Sequence, residues 1–241
     1  MVKQLESYRE KLIDSRFYES LLPLLTDHVV PRQCESLVCY GIGSMQESIA
    51  ARYQFMLALT IRDLMKMKDD TKVWIYDPVM TPLDKQACEH YQLQVIPNDE
   101  QCKRSITTST LFYMPHCARL LYSNTLGANW SPDPLSLVTL IGNDVSDVYV
   151  TSQPDAVLRR ECPYLVPAST LIQTVPFPDF HINNVFNNLA IQHFCRSDLP
   201  AHDDPFWSSV QPLDDDDQNA KNKVKGDDDN DDGDAQKSSI E

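Results

Sequence analysis

The fold is set by Ser36-Leu-Val-Cys-Tyr-Gly-Ile-Gly-Ser44, a short apolar run that ends in two closely spaced glycines. A continuous apolar run of this length is typical of a buried strand, and glycine after it permits a tight turn. Apolar residues then recur every three or four positions from Met45 to Leu64, which predicts a long helix. The segment therefore predicts a strand, a glycine turn and a helix, the unit from which parallel sheets are built.

The same alternation of strand and helix continues along the chain. Thr81 is predicted to cap a helix that extends to Tyr91, with Pro82 at its first position. Further strands are predicted at Val73–Tyr76, Leu93–Ile96, Thr110–Tyr113 and Leu137–Ile141, with a helix through Leu120, Leu121 and Thr125. This alternation predicts an α/β fold of three layers, in which a Rossmann-like, mostly parallel sheet carries helices on both faces.

The two ends of the chain differ from this pattern. Residues 1–34 show helical spacing of apolar residues up to Pro31, and we expect helices that pack on the domain. The α/β domain itself is predicted to span residues 35–211. Within it, residues 170–175 and 190–194 are predicted as added strands that form an antiparallel C-terminal edge.

Charge is unevenly distributed along the chain. The 241 residues carry 21 Lys and Arg against 35 Asp and Glu, and residues 212–241 hold half of the formal net charge of −14 with almost no apolar side chain. Such a segment cannot offset its ordering entropy by burial, so we predict an acidic disordered tail, with docking to a basic partner as the alternative. The acidic balance also argues against direct nucleic-acid binding, which needs clustered Lys and Arg.

The cysteines and the hydropathy pattern indicate the compartment. Seven cysteines, with no C-x-x-C pair, predict free thiols rather than a disulfide framework or a zinc ribbon, and no other cluster has metal-ligand spacing. No stretch approaches the roughly 20 apolar residues of a membrane span, and the opening residues lack the apolar core of a signal peptide. We therefore expect no metal, no membrane and a location in the cytoplasm, the nucleus or both.

Polar motifs follow four of the predicted strands, at the point where each strand ends. They are Gly41-Ile-Gly-Ser44, Asp77-Pro78, Met114-Pro-His-Cys117 and Gly142-Asn-Asp144. Because ligands of open parallel sheets lie outside the carboxyl ends of the strands, we expect these motifs to share a small-ligand pocket. The glycine turn would favour an anion such as phosphate, although Gln46 stands where a third glycine completes the dinucleotide fingerprint. A turn that needs glycine for steric reasons alone is the alternative.

Side chains at these strand ends are the candidates for chemistry. Asp77 could bind a ribose, and capping or pairing with Arg52 is the alternative. His116 and Cys117 are catalytic candidates, but neighbours on an extended segment point to opposite sides and cannot form a dyad with each other. For His116 a role as metal or haem ligand is considered, with a hydrogen-bonded structural histidine at the strand end as the favoured alternative. A haem-ligand role is also considered for Cys162 of the Cys162-Pro163 dipeptide.

Two amides complete the candidate set. Asn124 and Asn129, which flank the end of the helix after the fourth strand, could turn a loop or hold a ligand. The predicted ligand-binding residues are Gly41, Gly43, Ser44, Arg52, Asp77, Pro115, His116, Asn124, Asn129, Gly142 and Asn143.

Taken together, these motifs resemble the Sensitivity to Red Light Reduced family, which shares an SRR-like domain. The matching text is Tyr40-Gly-Ile-Gly-Ser44, Ala51-Arg-Tyr-Gln54, Tyr76-Asp-Pro78, Phe112-Tyr-Met-Pro-His-Cys117, Leu121-Tyr-Ser-Asn124, Asn129-Trp130 and Ile141-Gly-Asn143, in family order across residues 35–150. Two positions depart from the family pattern. Asp144 stands where serine is common, and Ala118 replaces a frequent proline, which removes a Cys-Pro haem motif.

The resemblance implies a regulatory protein. Its expected roles are circadian clock and light-signalling input and regulation of haem biosynthesis, through protein partners and with no established catalytic residues. The alternative is an enzyme, a Rossmann-type transferase that is methyltransferase-like or nucleotide-dependent and uses the same pocket. Haem, a nucleotide and S-adenosylmethionine are the candidate cofactors, and none is established by the sequence.

Overall fold

A seven-stranded sheet in the order β3-β2-β1-β4-β5-β7-β6 forms the centre of the computed structural model, which describes residues 1–67 and 73–210. The strands are β1 (Ser36–Tyr40), β2 (Val73–Tyr76), β3 (Gln94–Val95), β4 (Thr110–Met114), β5 (Val138–Asn143), β6 (Ile172–Pro176) and β7 (Leu189–Phe194). Strands β1 to β5 run parallel, and β7 lies antiparallel between β5 and β6. The predicted α/β class, with a mostly parallel sheet and an antiparallel C-terminal edge, is confirmed.

Helices cover both faces of the sheet, which gives the three predicted layers. They are α1 (Val2–Ile13), α2 (Arg16–His28), α3 (Ile49–Leu64), α4 (Pro82–His90), α5 (Arg119–Gly127), α6 (Pro132–Ser136), α7 (Asp155–Glu161) and α8 (Leu165–Ser169). Buried side chains of α1 to α4 form one core with the sheet, and those of α5 to α8 form a second core on the opposite face. Side chains alternate between the two faces along a strand, so Val38 faces one core and Cys39 the other.

Two of the boundaries that differ from the sequence expectation affect the predicted site motifs. Helix α3 begins at Ile49 rather than Met45, because the Ser48 hydroxyl accepts a hydrogen bond from the Ala51 N–H at 3.3 Å and caps the helix there. Met45 is fully buried in the turn that precedes the cap. Gly142 and Asn143 are the last two residues of β5 and do not follow it as predicted.

Residues 132–169 contain helices that the sequence did not predict. Helices α6, α7 and α8 are all shorter than eight residues, and a π-helical turn covers Val145–Val150. Helices of fewer than about two turns carry too few apolar positions to show a 3.6-residue period. The two added strands lie close to their predicted positions.

The ends of the chain were predicted as separate segments. Helices α1 and α2 contribute the fully buried Leu5, Leu12 and Leu21 to the core beneath α3. The predicted acidic tail, residues 212–241, lies outside the described residues. Within residues 1–67 and 73–210, no helix has both the length and the hydropathy needed to span a membrane.

Candidate functional site

The glycine turn after β1 is bonded to the end of β2 through Asp77. The Gly43 N–H donates to Oδ2 of Asp77 at 2.7 Å, and the Val79 N–H donates to Oδ1 of the same carboxylate at 2.9 Å. Gly43 adopts φ +82°, a left-handed conformation that glycine adopts readily. Asp77 therefore caps the turn, one of the roles considered for it, and the amide that would face a phosphate already has a carboxylate partner.

Asp84 forms a second bridge to the same turn, from the first turn of α4. Its fully buried carboxylate accepts hydrogen bonds from the Ser44 hydroxyl (2.7 Å), the Gln46 N–H (2.9 Å) and both the N–H and the hydroxyl of Thr81 (2.8 and 2.9 Å). Burial by itself raises the pKa of the Asp84 carboxyl, but the hydrogen bonds from Ser44, Thr81 and Gln46 outweigh it and hold the pKa below its ordinary value. The sequence reasoning missed Asp84, although Thr81-Pro-Leu-Asp84 has the spacing of a capping box.

Cys117 fills the crevice between the ends of β1 and β4, where the strand order reverses. A Cβ at Gly41, which has φ +70°, would lie 2.4 Å from Sγ of Cys117. The thiol donates to the Tyr40 carbonyl at 3.4 Å, and the Tyr149 hydroxyl donates to the Cys117 carbonyl at 2.5 Å. Burial, with a smaller contribution from Asp77, raises the pKa of the thiol to about 12, so it is protonated at neutral pH and is a poor nucleophile.

His116 lies beside Cys117 in a conformation that the sequence reasoning had wrong. Its φ of +54° is left-handed, so the segment is not extended there. The His116 N–H donates to Oδ1 of Asn143 at 2.8 Å, and Nε2 lies 3.2 Å from the Val185 carbonyl, which also accepts from the Gln54 side chain at 2.9 Å. Partial burial lowers the pKa of the imidazole. The imidazole and the thiol thus bond to different groups and form no dyad.

Gly142 makes room for a buried hydroxyl at the end of β5. A Cβ at Gly142 would lie 2.2 Å from Oη of Tyr122. That hydroxyl donates to the Met114 carbonyl and accepts from the Asn143 N–H at 2.7 Å, so it ties β4 to β5. Pro115, the next residue after β4, is buried. Gly142 is therefore required here because its lack of a Cβ leaves room for the Tyr122 hydroxyl.

Arg52 supports the glycine turn from α3 and does not pair with Asp77. Its Nε donates to the Met45 carbonyl and Nη2 to the Gln46 carbonyl, both at 2.7 Å. A third donor, Nη1, lies 3.4 Å from the Tyr8 hydroxyl of α1. The pairing of Arg52 with Asp77, considered as one alternative to a ribose-binding role, is not formed, because the guanidinium donates to carbonyls of the turn.

Asn124 and Asn129 lie apart from the other candidates and hold the connection between β3 and β4. Nδ2 of Asn124 donates to the Gln101 carbonyl at 2.9 Å, while Asn129 accepts from the Ile106 N–H at 2.9 Å and donates to the Arg104 carbonyl at 3.0 Å. This connection borders a cavity of about 480 Å³ that also touches the first residues of β1 and β4. The two amides therefore hold the turn of the β3–β4 connection. The cavity beside this connection lies at the amino ends of the strands.

Cys162 is the remaining candidate for a haem ligand, and its surroundings do not favour that role. Cys162 is 1% exposed, and burial raises the pKa of its thiol. In the part of the chain that the structure describes, no three His, Cys, Asp or Glu side chains gather as metal ligands would. What does converge is the group of Gly41, Gly43, Ser44, Asp77, His116, Cys117 and Asn143, which we call the carboxyl-end rim.

Comparison with known proteins gives a match over most of the chain. The family model of the SRR1 domain matches residues 9–193. The Arabidopsis thaliana protein SENSITIVITY TO RED LIGHT REDUCED 1 is 33% identical over 153 residues, 58% of this chain and 54% of the relative. An SRR1-like protein of Drosophila melanogaster is 28% identical over 187 residues, 76% of this chain and 64% of the relative. An SRR1-like protein of Mus musculus is 32% identical over 136 residues, 56% of this chain and 54% of the relative. The chain spans between half and two thirds of the length of these relatives.

Proposed function

Because the chain belongs to the SRR1 family, we propose that it is a regulatory protein that acts through protein partners in circadian clock and light-signalling input and in the regulation of haem biosynthesis. The family match and the Arabidopsis relative, which is named for reduced sensitivity to red light, support this assignment. The proposed location is the cytoplasm, the nucleus or both. The acidic residues 212–241 are proposed to meet a basic partner.

One observation favours the regulatory role over the enzymatic one. The polar groups of the carboxyl-end rim already form hydrogen bonds with other groups of the protein. Two backbone amides of the glycine turn donate to the carboxylates of Asp77 and Asp84, and the Cys117 thiol lies in the crevice where a cofactor would approach β1. A phosphate at this turn would meet like charges within hydrogen-bond distance of the amides, which is unfavourable. The motifs therefore support a structural role for the rim.

A transferase remains the second candidate because of the strand order. In the arrangement β3-β2-β1-β4-β5-β7-β6 the strand order reverses between β1 and β4, and open α/β sheets bind nucleotide ligands at such a switch point. This is an analogy of fold alone. A cofactor at the rim would require Asp77 to release the Gly43 amide and Cys117 to leave the crevice.

Thermal-shift measurements separate the two candidates. The full chain is melted with increasing S-adenosylmethionine, ATP, NAD or haem, beside Gly43→Val and Asp77→Asn. We expect no saturable rise in Tm for any of the four, because the rim amides and the crevice are already occupied. A saturable rise that is lost in Gly43→Val but kept in an exposed control such as Val79→Ala would establish a cofactor site and favour the transferase.

A cellular rescue experiment tests the regulatory role directly. Mouse cells that carry a circadian luminescence reporter and lack their own SRR1-like protein are given this chain, and the reporter period and the transcripts of haem-biosynthesis enzymes are followed. We expect both to return toward their original values. A chain that is expressed and folded but restores neither would overturn the proposal.

A further inference from the structure

A cleft lies between the junction of α1 with α2 and the connection from β6 to β7. Its volume is about 480 Å³, within the range that holds small organic ligands, and its lining includes Phe17, Tyr53, Lys11, Arg16, Asp179 and His181. No residue of the carboxyl-end rim lines it, and among the residues of the family motifs only Tyr53 does. The cleft is therefore distinct from the site that the motifs predicted.

The floor of the cleft is aromatic and held rigidly. Phe17 and Tyr53 are 4% and 5% exposed. The Phe17 ring stacks on Phe186 at 4.8 Å with an interplanar angle of 3°, and both Phe17 and Tyr53 meet the edge of Phe180 at 5.0 and 5.2 Å. Because these ring contacts hold Phe17 and Tyr53 in place, the small exposed part of each side chain can meet a ligand without further ordering.

The mouth of the cleft is cationic in an otherwise acidic chain. Among the described residues that line it, Lys11 and Arg16 stand against the single carboxylate of Asp179, whereas the whole chain has a formal net charge of −14. Within residues 1–67 and 73–210, the Arg16 side chain has no hydrogen bond or ion pair, and the ammonium of Lys11 lies 5.3 Å from the centre of the Tyr8 ring. The guanidinium of Arg16 is therefore available to an anion, with its five donors in a fork that fits a carboxylate.

The Tyr53 hydroxyl is a further polar group on the lining of the cleft. It makes no hydrogen bond to any residue that the structure describes, although Tyr53 is 5% exposed and lines the cleft. The Ser15 hydroxyl, by contrast, is fully used, since it donates to the Leu12 carbonyl and accepts from the Tyr18 N–H. The Tyr53 hydroxyl is open to the cleft, and it adds one polar group that a ligand in the cleft can bond to.

We propose that this cleft binds a small planar acid, an aromatic or similarly flat apolar body that carries one carboxylate. The body lies against Phe17 and Tyr53, and the carboxylate faces Arg16 and Lys11. This inference adds a ligand to the protein and does not rest on the proposed cellular role.

Titration calorimetry with 2-naphthoate tests the ligand class, and the uncharged 2-naphthamide is the matched control ligand. Both are titrated into the full-length chain at neutral pH. We expect saturable naphthoate binding that is about tenfold tighter than amide binding, because only the carboxylate makes charge-assisted hydrogen bonds to Arg16. No saturable naphthoate binding up to millimolar concentration, or equal affinity for the two ligands, would overturn the proposal.

Variants with opposite expected effects place the binding in this cleft. Arg16→Gln is expected to weaken naphthoate binding about tenfold, and Asp179→Asn to strengthen it about threefold by removing a like charge. Arg159→Gln makes the same charge change as the first variant on exposed α7 and is expected to leave the affinity unchanged. The substituted residues are exposed, so unchanged melting curves are expected and confirm folding. Equal affinities for the wild-type chain and Arg16→Gln would contradict the assignment to this cleft.

Discussion

Gly41 and Gly43 belong to one motif but serve different purposes at the level of single residues. Both have positive φ, +70° and +82°. A Cβ at Gly41 would collide with the Cys117 thiol at 2.4 Å, whereas one at Gly43 would meet the Ala51 methyl at an ordinary 3.7 Å. Gly41 is thus needed for both conformation and space, and Gly43 for conformation alone.

This difference predicts unequal costs for two matched substitutions. Gly41→Ala should lower the free energy of unfolding by about 2–4 kcal/mol, from left-handed strain plus overpacking, and Gly43→Ala by about 1–2 kcal/mol from strain alone. Denaturant titrations measure both. In a Cys117→Ala background the extra cost of Gly41→Ala should disappear, and equal costs in the two backgrounds would show that the thiol does not fill the crevice.

Cys117 itself should react slowly despite its place in a signature motif. Its thiol is buried with a pKa raised to about 12, so we expect Cys117 to resist alkylation by iodoacetamide at pH 8 while the half-buried Cys195 is modified first. Mass spectrometry of peptides over time measures both rates. Modification of Cys117 at a rate comparable to Cys195 would mean that the crevice opens.

The sequence predicted residue types better than residue partners. Asp77 and the two glycines were predicted at the strand ends, and the structure places them there. Asn124 and Asn129 were grouped with them because an amide can bond to almost any polar group, and only the fold shows that their partners are carbonyls and an amide of the β3–β4 connection. Asp84 was overlooked because its tertiary donors, Ser44 and Gln46, are distant in sequence.

At the level of elements, Asp84 joins the glycine turn to the start of α4. Four donors from two segments share its buried carboxylate, and Thr81 and Asp84 also form a reciprocal capping box. Negative charge is favourable in the first turn of a helix. The turn after β1 and the helix after β2 are thereby held as one unit.

Asp84→Asn should destabilise the protein by about 2–3 kcal/mol, because an amide nitrogen then faces donors that a carboxylate satisfied. The pKa of Asp84 is lowered on folding, so its contribution is full above the ordinary value of 3.8 and is lost as the pH falls through the lower folded value. Unfolding free energies at pH 6 and pH 3 should thus differ less in Asp84→Asn than in the wild-type chain. Asp155→Asn, on exposed α7, serves as control, and a parallel pH response of Asp84→Asn and wild type would contradict the role.

At the level of elements, the predictions succeeded where an apolar run has clear boundaries in the sequence. Strands β1, β2, β4 and β5 were recognised from apolar runs bounded by glycine or proline, and the wholly buried patterns of β4 and β5 explain why those runs are continuous. The start of α3 was placed too early because Met45 continues the apolar period while lying in a turn. The spacing of apolar residues shows which side chains are buried, and in this segment the buried side chains extend beyond the start of α3.

At the level of the whole molecule, the N-terminal helices belong to the main core. Leu5 and Leu12 of α1 and Leu21 and Leu25 of α2 are fully buried in the same cluster as α3 and the sheet. The family match begins at residue 9, inside α1. The sequence could predict these helices from their periodicity but not which face of the sheet they cover, since that depends on strand order.

Truncations at the two ends should therefore have opposite outcomes. Deleting residues 1–14 removes two buried leucines, worth about 1.5–3 kcal/mol each, and uncovers α3, so we expect a large fall in Tm or loss of folding. Deleting residues 213–241, whose composition is acidic with few apolar side chains, should change Tm little. Calorimetry of both truncated chains tests this, and the reverse order of effects would contradict it.

The insertion of β7 beside β5 affects how the protein is made. The outer edge of β5 is complete at Asn143, but the strand that covers it does not begin until Leu189. At about 5–20 residues per second, a ribosome leaves this edge open for several seconds. An uncovered edge of a buried strand invites pairing with another nascent chain, so early termination before β7 should yield products that depend on chaperones.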